Sequence, residues 1–510
     1  MGGAGLMSKT RRVIANTFAN WAGIASNSIV LLFLMPYLRG VLGDERFGIS
    51  LLATQVIHYV NLLAVSMRPT TTRFVAREIA AGDVDGLNRT LSTMLLFFVV
   101  IGTLGAATGV ALGLLLPGFY QVSPEYTTET AILFSVLGFT LFTQLSEHLY
   151  GSVLIGHHRY DLLNVGNVIR YLSRAGLIVA AFSVGFRSLS AVAFGTLGSH
   201  LLALVYYWHA GHRKEPGLRL NPRRAERGIA REAASFGVSN TVIQVGNVAV
   251  FSTPSLIVGR VLGTDAVGYY QVPFLLADRI RMLVWGMATT LVPMAAATLV
   301  SGDRAEFRTL IVKGTRAAAM MCFPIGAILL VLCKPFLILW MGEDYGSAWL
   351  VYGIVMIAMF GRIAQAPTLN ILVGGGRIRG LACVQTISAV ATIGLTILLC
   401  VVTDWGVLAA AVGITVPLFL SHSVFVPWYA SRQMEMPLWR YLTEAYVRPA
   451  LATLPGVALA LVLTRIAPPT GWAVWIGEFA ASLALSGIAV WFTCVDQQMR
   501  ERVMKKAGLR

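Results

Sequence analysis

The sequence predicts an all-α polytopic membrane protein of about 14 transmembrane helices, built as two parallel six-helix repeats followed by two C-terminal helices. Three observations predict it. First, the 510 residues are 56% hydrophobic and only 13% charged, whereas a soluble domain is about a quarter charged. Second, apolar runs of helical length recur from residue 13 to residue 494, and each crossing of the hydrocarbon core needs about 20 residues. Third, a segment recurs without a gap at an offset of 220, since Val41-Leu42-Gly43 with Gly48 matches Val261-Leu262-Gly263 with Gly268. The same offset pairs Asn20 with Asn240, Asn27 with Asn247, Gly82-Asp83 with Gly302-Asp303, Gly156 with Gly376 and Arg159 with Arg379. A transmembrane β-barrel is excluded, because the runs are too long and lack two-residue alternation.

In chain order the predicted spans are 13–38, 47–67, 91–116, 130–153, 162–184 and 188–209 in the first half. A basic linker follows at 211–231. The second half holds 235–258, 266–290, 315–333, 348–372, 380–402 and 405–429, and 447–465 with 472–494 are appended. The domains are therefore 1–210, 211–231, 232–430 and 431–510. Six is an even number, so both halves enter the membrane in the same sense, which makes the repeat parallel and not inverted. Gly43 and Gly48 are expected to make the tight reversal after the first span, and Gly263 with Gly268 its counterpart, because a Cβ would strain such a turn. The arginine-bearing stretch 68–90 is amphipathic and is expected along the cytoplasmic interface.

The formal charge of +16 suggests nucleic acid until its distribution is read. On an alternating topology with the N-terminus inside, the outer loops carry only Arg39, Arg46, Arg187, Arg260, Lys334 and Arg465. That asymmetry is the positive-inside pattern, with both termini cytoplasmic and no role for nucleic acid. Arg213, Lys214, Arg219, Arg223, Arg224, Arg227 and Arg231 crowd the linker and are expected to fix topology and touch anionic lipids. The five cysteines fall in or beside spans with no metal-ligand spacing and read as apolar residues. The first span, preceded by Lys9, Arg11 and Arg12, reads as a signal anchor.

The Asn16-Thr17 start, the loop Leu42-Gly43-Asp44-Glu45-Arg46-Phe47-Gly48, and Thr72-Arg73-Phe74-Val75-Ala76 followed by Gly82-Asp83 resemble bacterial polysaccharide (O-antigen) flippases. These belong to the multidrug/oligosaccharidyl-lipid/polysaccharide exporter superfamily. The resemblance covers most of the chain and agrees with fourteen spans. It implies a protein of the bacterial inner membrane that flips undecaprenyl-diphosphate-linked oligosaccharide for O-antigen, capsule or exopolysaccharide synthesis. The reading taken from it is alternating access without ATP and without a cofactor, with polysaccharide assembly proteins as candidate partners and with proton, sodium or membrane potential left open as the energy source. Related readings are a lipid II flippase and a proton- or sodium-coupled drug antiporter; cationic cavity residues oppose the latter. A membrane polysaccharide polymerase is the enzyme alternative, but it would need large hydrophilic loops or acidic catalytic clusters. The sequence has no phosphate-binding Walker loop.

Charges inside the membrane are costly and are expected to face a cavity or a partner. Asp278, Arg279 and Arg281 lie in the eighth span. Asp278 and Arg281, three apart, share a helical face and can pair, while Arg279 points about 100° away from Asp278. Either arginine could meet a diphosphate, because the guanidinium fork binds phosphate oxygens bidentately; the competing role is an internal pair holding helices together. Arg362 in the tenth span has the same two readings. Glu147-His148 in the fourth span is a second polar site, where Glu147 either takes up a proton, with Asp278 as another ion-coupling candidate, or pairs with an arginine. Asn20 and Asn27 share a face of the first span, as Asn240 and Asn247 do of the seventh. They read as a wall contacting sugar hydroxyls or as interhelical hydrogen bonds. Under the 220 offset, Tyr59 and Asn61 stand where the second half has Arg279 and Arg281.

Overall fold

The computed structural model describes residues 23, 25–288, 304–374, 379–495, 497, 500 and 501. Every regular element among them is helical, and eleven of these helices are long and apolar enough to cross a membrane. Three further predicted spans are helical but more polar. The second is broken at Asn61, the seventh carries Gln244 and Asn247, and the eighth carries Asp278, Arg279 and Arg281. The described chain forms two compact units, one ending at Gly268 and the other starting at Tyr269.

The first unit contains α1 (Ala25–Leu42), α2 (Asp44–Val60), α3 (Leu62–Ala81), α4 (Val84–Phe119), α5 (Thr127–Gly156), α6 (Tyr160–Ser183), α7 (Leu189–Lys214) and α8 (Arg227–Val261). The repeated residues now have physical roles. Gly82 closes α3 in the left-handed region at φ 69°, where a glycine costs least. Asp83 then caps α4, its carboxylate accepting from the Gly86 amide at 2.8 Å. The counterparts Gly302-Asp303 and Gly376 lie outside the described residues. Gly43 and Gly263, related by the offset, both take positive φ, 78° and 101°. Gly48 is not a turn residue. It lies inside α2, where a Cβ would sit 1.8 Å from the Thr264 carbonyl oxygen, so its glycine permits close approach between the two equivalent loops.

Small residues also set the α4–α5 crossing. Gly105, Gly109 and Gly113 line one ridge of α4, and a Cβ on Gly109 would come within 2.8 Å of the Gly138 Cα in α5. Between helices in lipid such backbone approach replaces the hydrophobic drive available in water. Around it Phe74, Val75, Leu87, Leu91, Met94, Leu141, Leu145 and Leu149 form a buried core. Phe74 and Val75 place α3 within that core, so the stretch expected along the interface is a packed helix.

The second unit begins in α9 (Ala266–Ala288). It continues through α10 (Arg304–Met341), α11 (Trp349–Ala364), α12 (Ala366–Gly374), α13 (Arg379–Val402), α14 (Val407–Phe419) and α15 (Val426–Gln433). Short α16 (Leu438–Leu442), α17 (Arg448–Ile466) and α18 (Trp472–Thr493) complete it. The last helices are bound to α10. Trp475 donates its indole N–H to the Leu332 carbonyl at 3.1 Å. The Tyr441 hydroxyl joins Thr315 at 2.9 Å, Thr368 at 3.1 Å and Gln365 at 3.2 Å. A buried network with its members mutually satisfied fixes one packing arrangement.

Candidate functional site

Among the described residues, two clusters of ionisable side chains lie in the helices, one in each unit. In the first unit Glu147 of α5 is only 4% exposed. A carboxylate there needs partners, and α6 and α7 supply them. Arg170 Nη1 donates to one Glu147 oxygen at 2.9 Å, and His200 Nδ1 donates to the other at 2.7 Å. Arg170 is held in turn by Asn167 Oδ1 at 2.9 Å, which also accepts from the Tyr207 hydroxyl at 3.3 Å. His148, the next residue, turns away and donates to the Arg68 carbonyl at 3.1 Å. Arg68 of α3 and Arg174 of α6 lie within electrostatic reach of the Arg170 site. The Nε atoms of both are sealed and have no hydrogen-bond partner among the described residues. The cluster therefore sets three guanidinium groups against one carboxylate.

In the second unit Arg281 and Asp278 close their i,i+3 pair, with Nε at 2.8 Å and Nη2 at 2.7 Å from Asp278 Oδ1. Arg279 points elsewhere, and its Nε and Nη1 are buried without a hydrogen-bond partner among the described residues. Arg362, 6% exposed, donates through Nη1 to His422 Nε2 at 2.6 Å. A guanidinium cannot accept, so His422 is neutral and carries its proton on Nδ1, which donates to Ser421 Oγ at 2.7 Å. Ser421 donates onward to the Leu418 carbonyl at 3.0 Å. This relay sits in a π-helical turn, Leu420–Phe425, a wide turn often found at functional positions. Gly361 allows the approach: a Cβ there would stand 2.0 Å from Ser423 Oγ. Arg281 lies within electrostatic reach of Arg362, so α9 and α11 bring two guanidinium groups near each other, one of them paired with Asp278.

Asn27 is part-exposed on α1, and Asn247 on α8 donates to Gln244 Oε1 at 3.2 Å. Asn240 lies within α8, but its side chain, like the whole of Asn20, falls outside the described residues. Asn61 donates to Gln144 Oε1 at 3.2 Å, and Tyr59 bonds Thr253 of α8. Arg170, Arg174, His200 and His422 are not among the site residues expected from the sequence, and Arg68 is expected only at the interface. Arg170 and Arg174 were detectable, being one helical turn apart inside an apolar run. Nor is Glu478 of α18 among those expected residues; it is 5% exposed, with both carboxyl oxygens lacking partners among the described residues.

A family profile described as "Polysaccharide biosynthesis protein" matches residues 42–351. The chain is 22% identical over 428 residues to a Shigella flexneri protein named "Putative O-antigen transporter", covering 82% of this chain and 98% of that one. It is 21% identical over 431 residues to the "Uncharacterized membrane protein EpsK" of Bacillus subtilis (strain 168), covering 82% and 83%. Its fold matches an inward-facing multidrug resistance MATE family transporter of the MOP superfamily, with a TM-score of 0.70, 14% identity, and coverage of 82% and 98%.

Proposed function

The chain belongs to the polysaccharide biosynthesis protein family, and from that premise we propose that it flips undecaprenyl-diphosphate-linked oligosaccharide across the bacterial inner membrane. The observation that carries the diphosphate assignment is the buried guanidinium of Arg279. Arg279 has sealed nitrogens without a hydrogen-bond partner among the described residues, and Arg362 lies buried within electrostatic reach of Arg281 in the same unit. A diphosphate supplies the missing anion, and the planar fork fits its oxygens. Arg281 joins them when Asp278 releases it, which makes the Asp278–Arg281 pair a gate that anion and coupling cation compete for. Glu147, bridged to Arg170 and His200, is the second ion-coupling candidate. Asn20, Asn27, Asn240 and Asn247 contribute amides for glycan hydroxyls.

The proposed architecture is fourteen spans: two parallel six-helix halves, 1–210 and 232–430, joined by the linker at 211–231 and followed by the appended pair in 431–510. Both termini are cytoplasmic. Alternating access moves the headgroup through the protein without ATP while the polyprenyl tail stays in lipid. The chain is then a transporter and not a polymerase, and guanidinium groups in its path disfavour cationic drugs. The test replaces Arg279 and Arg281 together by alanine and measures flipping at matched protein levels. At least a tenfold loss is expected, the scale of one lost charge-assisted contact of about 1.5–3 kcal/mol. Unchanged transport would remove the diphosphate site.

A further inference from the structure

The basic linker is a strap fastened to the cytoplasmic end of α4. Asn88 grips it twice, donating to the Gly217 carbonyl at 2.9 Å and accepting from the Arg219 amide at 2.7 Å. Ser92 Oγ accepts from the Asn221 amide and Thr93 Oγ1 from the Glu226 amide, each at 3.0 Å. Leu218 is buried in the first unit's core, with Leu220 packed beside it. So fastened, the strap overhangs α4 and leaves a cavity of about 510 Å³, within the range of small-ligand sites.

Its walls divide by chemistry. Leu96, Phe97 and Val100 of α4, with Pro222 and Ala225 of the strap, make it apolar, while Glu226 and Arg227 stand at one end. Leu96 and Val100 are exposed, so the apolar side opens towards the surface that a membrane helix gives to lipid tails. Arg227 of the lining is exposed, as are Arg223 and Arg224 close to it in sequence. Glu226 is engaged by Arg89 at 3.6 Å and Arg224 by Asp85 at 3.5 Å. Arg227 has no partner among the described residues, and the linker sets seven basic residues against Glu215 and Glu226.

We propose that this cavity is a binding site for one anionic phospholipid. An acyl chain lies along Leu96, Phe97 and Val100, and the phosphodiester meets Arg227. The charge pattern favours an anionic over a zwitterionic headgroup, and the apolar wall favours a lipid over a soluble anion.

The test uses the whole purified protein in detergent and follows its thermal midpoint as lipid is titrated. Phosphatidylglycerol is expected to stabilise it and phosphatidylcholine to do so at least fivefold less effectively. Arg227→Gln should weaken the phosphatidylglycerol response about fivefold, the scale of one basic residue at an anionic surface. Ala225→Trp, which fills the cavity, should abolish it. Val100→Phe, at an exposed position with no folding load, should weaken it if the tryptophan variant fails to fold. Equal responses to the two lipids overturn the proposal, as does wild-type affinity in both cavity-filling variants. An equal shift from glycerol phosphate alone, or displacement of phosphatidylglycerol by equimolar undecaprenyl phosphate, also overturns it, as a free-anion site or a carrier-lipid site.

Discussion

Replacing Arg170 by methionine keeps the bulk of the side chain and removes the charge that holds Glu147. The cost follows from the geometry. Breaking a buried ion pair by deleting one partner costs about 3–5 kcal/mol. Arg170 is partly exposed, its side chain at 24%, and His200 still donates to the carboxylate at 2.7 Å, a contact worth about 1 kcal/mol. The expected loss is therefore about 2–4 kcal/mol. Glu147→Gln alone leaves Arg68, Arg170 and Arg174 without that anion and is also costly. In Arg170→Met with Glu147→Gln neither charge is stranded, and a coupling energy of about 2 kcal/mol in the stabilising direction is expected. The assay is equilibrium unfolding of the four proteins in one detergent. Additive losses, with coupling below about 0.5 kcal/mol, would refute the view that Glu147 and Arg170 form one buried unit.

Three further outcomes follow from other contacts. Gly109→Val drives side-chain atoms into the Phe134 carbonyl and the Gly138 Cα of α5 and should cost at least about 1–3 kcal/mol. Gly176→Ala, with nothing within 4 Å of the added carbon, should leave the unfolding midpoint nearly unchanged, and equal midpoints for both variants would contradict the seam. Glu478→Leu removes a sealed carboxyl without partners among the described residues and should stabilise the protein by about 1–3 kcal/mol; a lower unfolding midpoint would show that Glu478 has a partner. If Glu147 couples ion movement to transport, Glu147→Gln should flatten the pH dependence of flipping, and an unaltered profile rejects that role.

Local features were legible in the sequence because their physics is local. Apolar length predicts a membrane helix, and the three-residue spacing of Asp278 and Arg281 predicts their pair. Gly48 looks like a turn residue in the sequence, but what requires it is the close approach of Thr264, in a loop more than 200 residues away. The partners of Glu147 were not legible for the same reason. Arg170 and His200 lie on two other helices, and which faces meet is decided by packing. The rule that an embedded acid needs an embedded base would have pointed to Arg170 and Arg174, the basic residues of the next helix. His422 had no such signal, since its role depends on a π turn that no residue pattern marks.

The central claim is nucleotide-free movement of a diphosphate-linked glycan, and reconstitution tests it most directly. The purified protein is placed in liposomes loaded with undecaprenyl-diphosphate-linked oligosaccharide, and the glycan reaching the opposite leaflet is measured with no ATP and with an imposed proton or sodium gradient. Protein-dependent translocation, lost in Arg279→Ala with Arg281→Ala, is the predicted result. Folded protein that moves no more glycan than empty liposomes under either gradient would contradict the account.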